Sequence, residues 1–193
     1  MTGMKDTFRV INRMVENGVI GSYAITGAVA ALNYIEPALT DDLDVLISVD
    51  APSLQSTTGL VTLEPVFRYL RQAGYTEFRK EGVVIEGWAV QFLPVANALD
   101  SEGLDQAVDV EIEAGGGESP IKVRTLRAEH VVANALQVDR PKDRIRISQF
   151  LTEDAVDLVA LRDVLDRHAM LAAWVTFCAR TGIANPYDAK FPT

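Results

Sequence analysis

The chain has 193 residues, of which 48% are apolar and 23% charged, and its formal net charge is −9. That length and composition suit one compact domain, or a domain with a small helical appendage, and a core large enough to need no disulfide or structural metal. The acidic balance argues against indiscriminate nucleic-acid binding, and no run of about 18 apolar residues offers a membrane span. The polar stretch from Met1 to Arg9 reads as neither a signal nor a transit peptide, so a cytoplasmic location is expected.

Phe8, Ile11, Met14 and Val15 share one helical face, and Asn17-Gly18 ends that helix because both residues tolerate a left-handed backbone. Ser22 to Ile25 reads as a short strand. Thr26-Gly27 then turns the chain into a second helix over about Ala28 to Tyr34, which Pro37 breaks. Asp42 to Val49 is a strand in which Leu43, Val45, Ile47 and Val49 alternate with Asp42, Asp44, Leu46 and Ser48. Ser53 to Gly59 is a polar loop. Leu60 to Ala73 is helical, with Gly74 as its stop.

Tyr75 to Lys80 and Val83 to Ile85 read as strands joined by a Glu81-Gly82 hairpin turn, and Trp88 to Pro94 as another strand after a turn at Glu86-Gly87. Ser101 to Ala107 is expected as a short helix. Val108 to Glu113 and Ile121 to Thr125 alternate as strands. From Arg127 onward the pattern is helical, in three segments: Arg127–Val138, Asp154–Arg167 and Met170–Arg180. The expected architecture is α+β, a mixed sheet flanked by helices. Residues 1–125 form its body and residues 126–193 a C-terminal helical part.

Several features have a plain structural reading. Cys178 stands alone among Trp174, Val175 and Phe177, which fits a small buried hydrophobe better than a reactive thiol. Gly115-Gly116-Gly117 joins two strands and opens no helix, so a hairpin tip explains it better than a phosphate cradle. His130 and His168 have no Ser, Cys or metal-ligand partner at a telling spacing. Residues 121–150 are locally basic, with seven cations against three carboxylates, and this segment could meet phosphates.

Asp42 and Asp44 carry the chemistry. Two residues apart on a strand, their side chains share one face, where like charges repel unless a cation intervenes. Magnesium suits such a place, because it prefers hard oxygen ligands and keeps several of its waters. Asp41 adds charge and is expected to point to the opposite face. Gly27 stands 15 and 17 residues earlier at a strand-to-helix turn, where glycine lets the backbone approach a phosphate. The alternative for an Asp-x-Asp pair is a solvated stretch of strand.

The run Tyr23-Ala-Ile-Thr-Gly-Ala-Val-Ala-Ala-Leu32, followed by Thr40-Asp-Asp-Leu-Asp-Val-Leu-Ile47, resembles the signature of the nucleotidyltransferase superfamily. The nearest branches are the AbiEii-like toxins and the small antibiotic nucleotidyltransferases. Glu129-His-Val-Val-Ala133 and Arg140-Pro-Lys-Asp-Arg144 are similar to the later helix and the Arg-x-Lys-Asp turn of that branch. The resemblance implies transfer of a nucleoside monophosphate from a triphosphate to an RNA, protein or small-molecule acceptor, with two magnesium ions. It implies that Asp42 and Asp44 hold the metal and that Gly27, Ala28 and Gln91 border the nucleotide. Lys142 then offsets triphosphate charge, and Asp143 orients Lys142 or a neighbouring arginine. The toxin branch implies an antitoxin partner.

Three positions depart from that pattern. Ala28 lacks the hydroxyl of a serine. Gln91 stands where a third carboxylate is usual, and an amide can neither carry that charge nor act as a general base. Arg146 stands where an acidic residue is common. These departures favour a second reading, a degenerate protein of the same fold that binds a nucleotide or a partner without turnover. A third reading is an interaction module whose Asp pair is merely exposed.

Overall fold

A computed structural model describes residues 2–36, 40, 42–48, 50, 54, 61–113 and 119–190. The expectations for Pro37, Asp41 and Val49, for the Gly115–Gly117 tip and for almost all of the loop from Ser53 to Gly59 lie outside the described residues. The chain divides into two compact units, Met1–Val29 with Ala38–Leu126, and Ala30–Pro37 with Arg127–Thr193.

The first unit carries a mixed seven-stranded sheet. Its strands are β1 (Tyr23–Thr26), β2 (Asp42–Ile47), β3 (Phe78–Arg79), β4 (Gly82–Ile85), β5 (Trp88–Pro94), β6 (Val108–Ile112) and β7 (Ile121–Thr125). The order across the sheet is β3-β4-β5-β2-β1-β7-β6. β2 runs antiparallel to β1 and parallel to β5, so the strand bearing the aspartates is interior. Leu43, Val45 and Ile47 are buried as their alternation requires. Leu46 and Ser48 are buried too, so only the Asp42–Asp44 end of the opposite face is open.

Helix α1 (Thr2–Glu16) packs on β7 and β5 through Phe8, Val10, Ile11 and Met14, all buried. Two polar ties fix its register. Thr7 Oγ1 lies 2.8 Å from the carbonyl oxygens of both Gly3 and Ile85, and Asn12 Nδ2 donates to the Lys122 carbonyl at 2.9 Å. Helix α2 (Gly27–Ala31) has only five residues, so it ends before the expected Tyr34.

Helix α3 (Glu64–Gln72) starts four residues after the expected Leu60. Pro65 explains the boundary, because a residue without an N–H fits the first helical turn and disrupts later ones. Helix α4 (Ala98–Asp105) starts earlier than expected because Asn97 caps it, accepting from the Asp100 amide at 2.9 Å. Tyr75–Glu77 is not strand, and Gly82 belongs to β4, so the turn of the β3–β4 hairpin is Lys80-Glu81.

The second unit is helical: α5 (Ala128–Val138), α6 (Pro141–Thr152), α7 (Leu158–Arg167), α8 (Leu171–Thr181) and the short α9 (Tyr187–Lys190). Helix α5 packs against α6, α7 and α8. Trp174 is fully buried, with the rings of Phe177 and Tyr187 each 5.6 Å away, and its indole N–H donates to Asn185 Oδ1 at 3.1 Å. Cys178 is buried, and burial pushes its thiol up.

Helix α6 corrects the sequence reading, which placed a turn at Arg140–Arg144 and began the next helix at Asp154. Pro141 at the helix start and Asp143 in its first turn are start signals that the basic composition obscured. The expected helix from Asp154 begins instead at Leu158, where Asp157 Oδ1 accepts from the amides of Val159 (2.8 Å) and Ala160 (3.1 Å).

Two acid–arginine clusters hold this unit. Buried Asp143 accepts from Arg140 Nε at 2.7 Å and Arg146 Nη1 at 3.1 Å. Asp139, left-handed at the end of α5 with φ 53°, receives a forked pair from Arg144 (2.6 and 3.0 Å) and Arg180 Nη1 at 2.7 Å.

Asp143→Ala is expected to lower stability by about 2 kcal/mol, because it removes charge-assisted bonds at a buried site; thermal unfolding measures it, and an unchanged midpoint would refute the role. The hydrogen bonds from Arg144, then those from Arg180, hold the Asp139 carboxyl at about 2, below its usual 3.8. A depressed carboxyl stabilises above its unfolded value and loses that contribution as pH falls through the folded one. The gap in melting temperature between the wild type and Asp139→Asn is therefore expected at neutral pH and should close between 3.8 and about 2.

Candidate functional site

The site is built from three adjacent strands. Thr26 at the end of β1 pairs with Asp44 on β2, and Asp44 pairs with Gln91 on β5. Residues in register across a sheet share a face, so Thr26, Asp44 and Gln91 form a row, with Asp42 on the same face two residues along β2.

Gly27 follows directly with φ +64°, a left-handed conformation that side chains rarely adopt. A Cβ there would meet the Asp44 carboxylate, the movable end of a side chain, so it is the left-handed backbone that calls for glycine. The turn therefore presses its backbone against the Asp44 carboxylate. With α2 only five residues long, its dipole is small, and close approach is the larger effect of Gly27. Ala28 is half-buried on the first turn of α2.

Asp42 is already partnered. Lys80 Nζ lies 2.9 Å from its Oδ2 and 3.3 Å from its Oδ1. Lys80 sits in the β3–β4 turn with φ 55°. The neighbouring Glu81 accepts from Gln91 Nε2 at 3.1 Å through its Oε2. Gly82 makes this hairpin possible, since a Cβ on it would lie 2.9 Å from the Ala89 carbonyl carbon and 3.0 Å from the Val90 nitrogen. The hairpin thus lies tight on β5 and delivers its turn to the acidic face. Among the described residues, no three His, Cys, Asp or Glu side chains converge as a metal cluster.

Gly27, Ala28, Asp42, Asp44 and Gln91 are thus gathered in the first unit. Lys142 and Asp143 belong to the second, in the first turn of α6, where Lys142 is exposed and Asp143 is buried against Arg140 and Arg146. Sequence reasoning missed Lys80 and Glu81. A Lys-Glu pair in a hairpin turn looks like any solubilising turn, and only the close crossing at Gly82 marks it.

No family model matches the chain, and no curated protein matches it. One solved structure, described as an antigenic nucleotidyltransferase-like protein from Paracoccidioides brasiliensis, is similar at 16% identity with a TM-score of 0.49. The match covers 79% of this chain and 74% of that one. No helix among the described residues is long and apolar enough to cross a membrane.

Gly27→Ala is expected to cost roughly 1–2 kcal/mol from the left-handed backbone alone, and more as the Asp44 carboxylate is displaced. Denaturant unfolding checks this, and wild-type stability would show that the turn does not press on Asp44.

Proposed function

We propose that this protein is a magnesium-dependent nucleotidyltransferase that moves a nucleoside monophosphate from a triphosphate to an acceptor. The observation that supports this best is the row of Thr26, Asp44 and Gln91 with Asp42 beside it, open at one strand end and closed on one side by the Gly27 turn. The donor set fits a hard divalent cation: two carboxylates on one face, one of which already draws a cation in the form of the Lys80 ammonium. Bound there, divalent ions would stabilise the charge on the attacking and leaving oxygens.

The chain's own groups have distinct parts in this reading. Asp42 and Asp44 hold and orient the cation. Gly27 leaves out a side chain, so that its turn can lie against the Asp44 carboxylate. Gln91 offers an amide to the nucleotide. In the second unit, Lys142 is the exposed cation of the first turn of α6, and Asp143 positions Arg140 and Arg146, as its hydrogen bonds suit it to do. Within the run from Arg140 to Arg146 the arginines pair with Asp139 and Asp143, so exposed Lys142 is the cation in it best placed for a phosphate-rich acceptor such as RNA.

A second reading has its own support. The position paired with Asp44 on β5 is an amide, and no third acid joins the pair among the described residues. A chain so built could bind a triphosphate without turning it over.

Incubation with α-labelled triphosphates, magnesium and an RNA pool separates the two. The active reading expects label transfer that falls at least about a hundredfold in Asp42→Asn and in Asp44→Asn, with folding intact. Nucleotide binding without transfer would establish the second reading, and Gln91→Asp should then tighten metal binding. Undiminished transfer by Asp44→Asn would remove that residue from the site.

A further inference from the structure

Resting on the reading of Asp42 and Asp44 as a cation site, we propose that Lys80 is an internal competitor for that cation, a tethered charge that must leave Asp42 before a divalent ion can settle. Three observations carry this. The ammonium lies 2.9 and 3.3 Å from the two Asp42 oxygens, so its charge stands beside both atoms that a metal would use. The contact is not a chance of a long side chain reaching from afar. Gly82, in the strand beside β5, lies too close to the β5 backbone for a Cβ, and the Glu81–Gln91 hydrogen bond ties the same turn to the residue paired with Asp44. Lys80 also holds a left-handed backbone, φ 55°, which a lysine seldom adopts without a compensating contact.

The competition is one that a metal can win. Lys80 is 67% exposed and Asp42 34% exposed, so water screens their attraction and the pair is weak. One ammonium neutralises one carboxylate, whereas a dication held by both acids relieves the repulsion between them as well. Lys80 therefore keeps the acids compatible when no metal is bound, and it raises the metal concentration needed to fill the site. Its displacement would release the hairpin turn from Asp42 as the ion enters.

Manganese titration of the full chain, followed by the electron paramagnetic resonance of the free ion, tests this without any measure of activity. Lys80→Gln is expected to bind Mn2+ about three- to fivefold more tightly than wild type, the range that an exposed ion pair allows. Lys80→Arg keeps the charge and should stay near wild type. The advantage of Lys80→Gln should vanish when Asp42→Asn is added. Manganese binding by the wild type with an equal or weaker affinity in Lys80→Gln would overturn the competition while leaving the metal site standing. Absence of manganese binding in both proteins would overturn both.

Discussion

Two carboxylates on one face of a strand are a standing electrostatic cost, and the first unit is arranged around that cost. Asp42 and Asp44 project from the one open end of a strand whose remaining residues are buried. Solvent, a lysine or a metal can reach them there and nowhere else along β2. The same burial that excludes water from Leu43, Val45 and Leu46 fixes the strand backbone, so the acids can move apart only by turning their side chains. The structure answers with a cation brought in on a hairpin.

That answer depends on two glycines used for different reasons. Gly27 supplies a left-handed corner with no side chain, so that the end of β1 can crowd Asp44. Gly82 removes a side chain where the hairpin crosses β5. A larger residue at Gly82 would meet the β5 backbone and push the hairpin, with Lys80 and Glu81, away from the acidic face, whereas one at Gly27 would strain the turn and displace the Asp44 carboxylate. The chemistry of the site thus rests on backbone approach as much as on the acids.

The second unit uses charge differently. Several of its arginines are engaged within the unit itself: Arg140 and Arg146 on Asp143 at the start of α6, and Arg144 of α6 and Arg180 of α8 on Asp139 at the end of α5. A basic composition in residues 121–150 therefore overstates the charge available to an anionic partner. Lys142, exposed on the first turn of α6, is a different case from the buried acid next to it. The two neighbours divide into a surface cation and a buried acid held by arginines.

From the sequence alone, the strand holding Asp42 and Asp44, its neighbour β5, the β6–β7 pair and the helical C-terminal part were all legible, because alternation and helical periodicity are local and survive without a partner. Its errors lay where local signals compete: Pro65 and Asn97 outweighed apolar spacing at the starts of α3 and α4, and α6 was hidden by charge. Only the tertiary structure decided that Asp44 stands between Thr26 and Gln91, that Gly27 touches Asp44, and that Lys80 covers Asp42. Those relations are set by strand order and by a hairpin turn that meets Asp42 from 38 residues along the chain, and neither periodicity nor composition encodes which distant strands become neighbours.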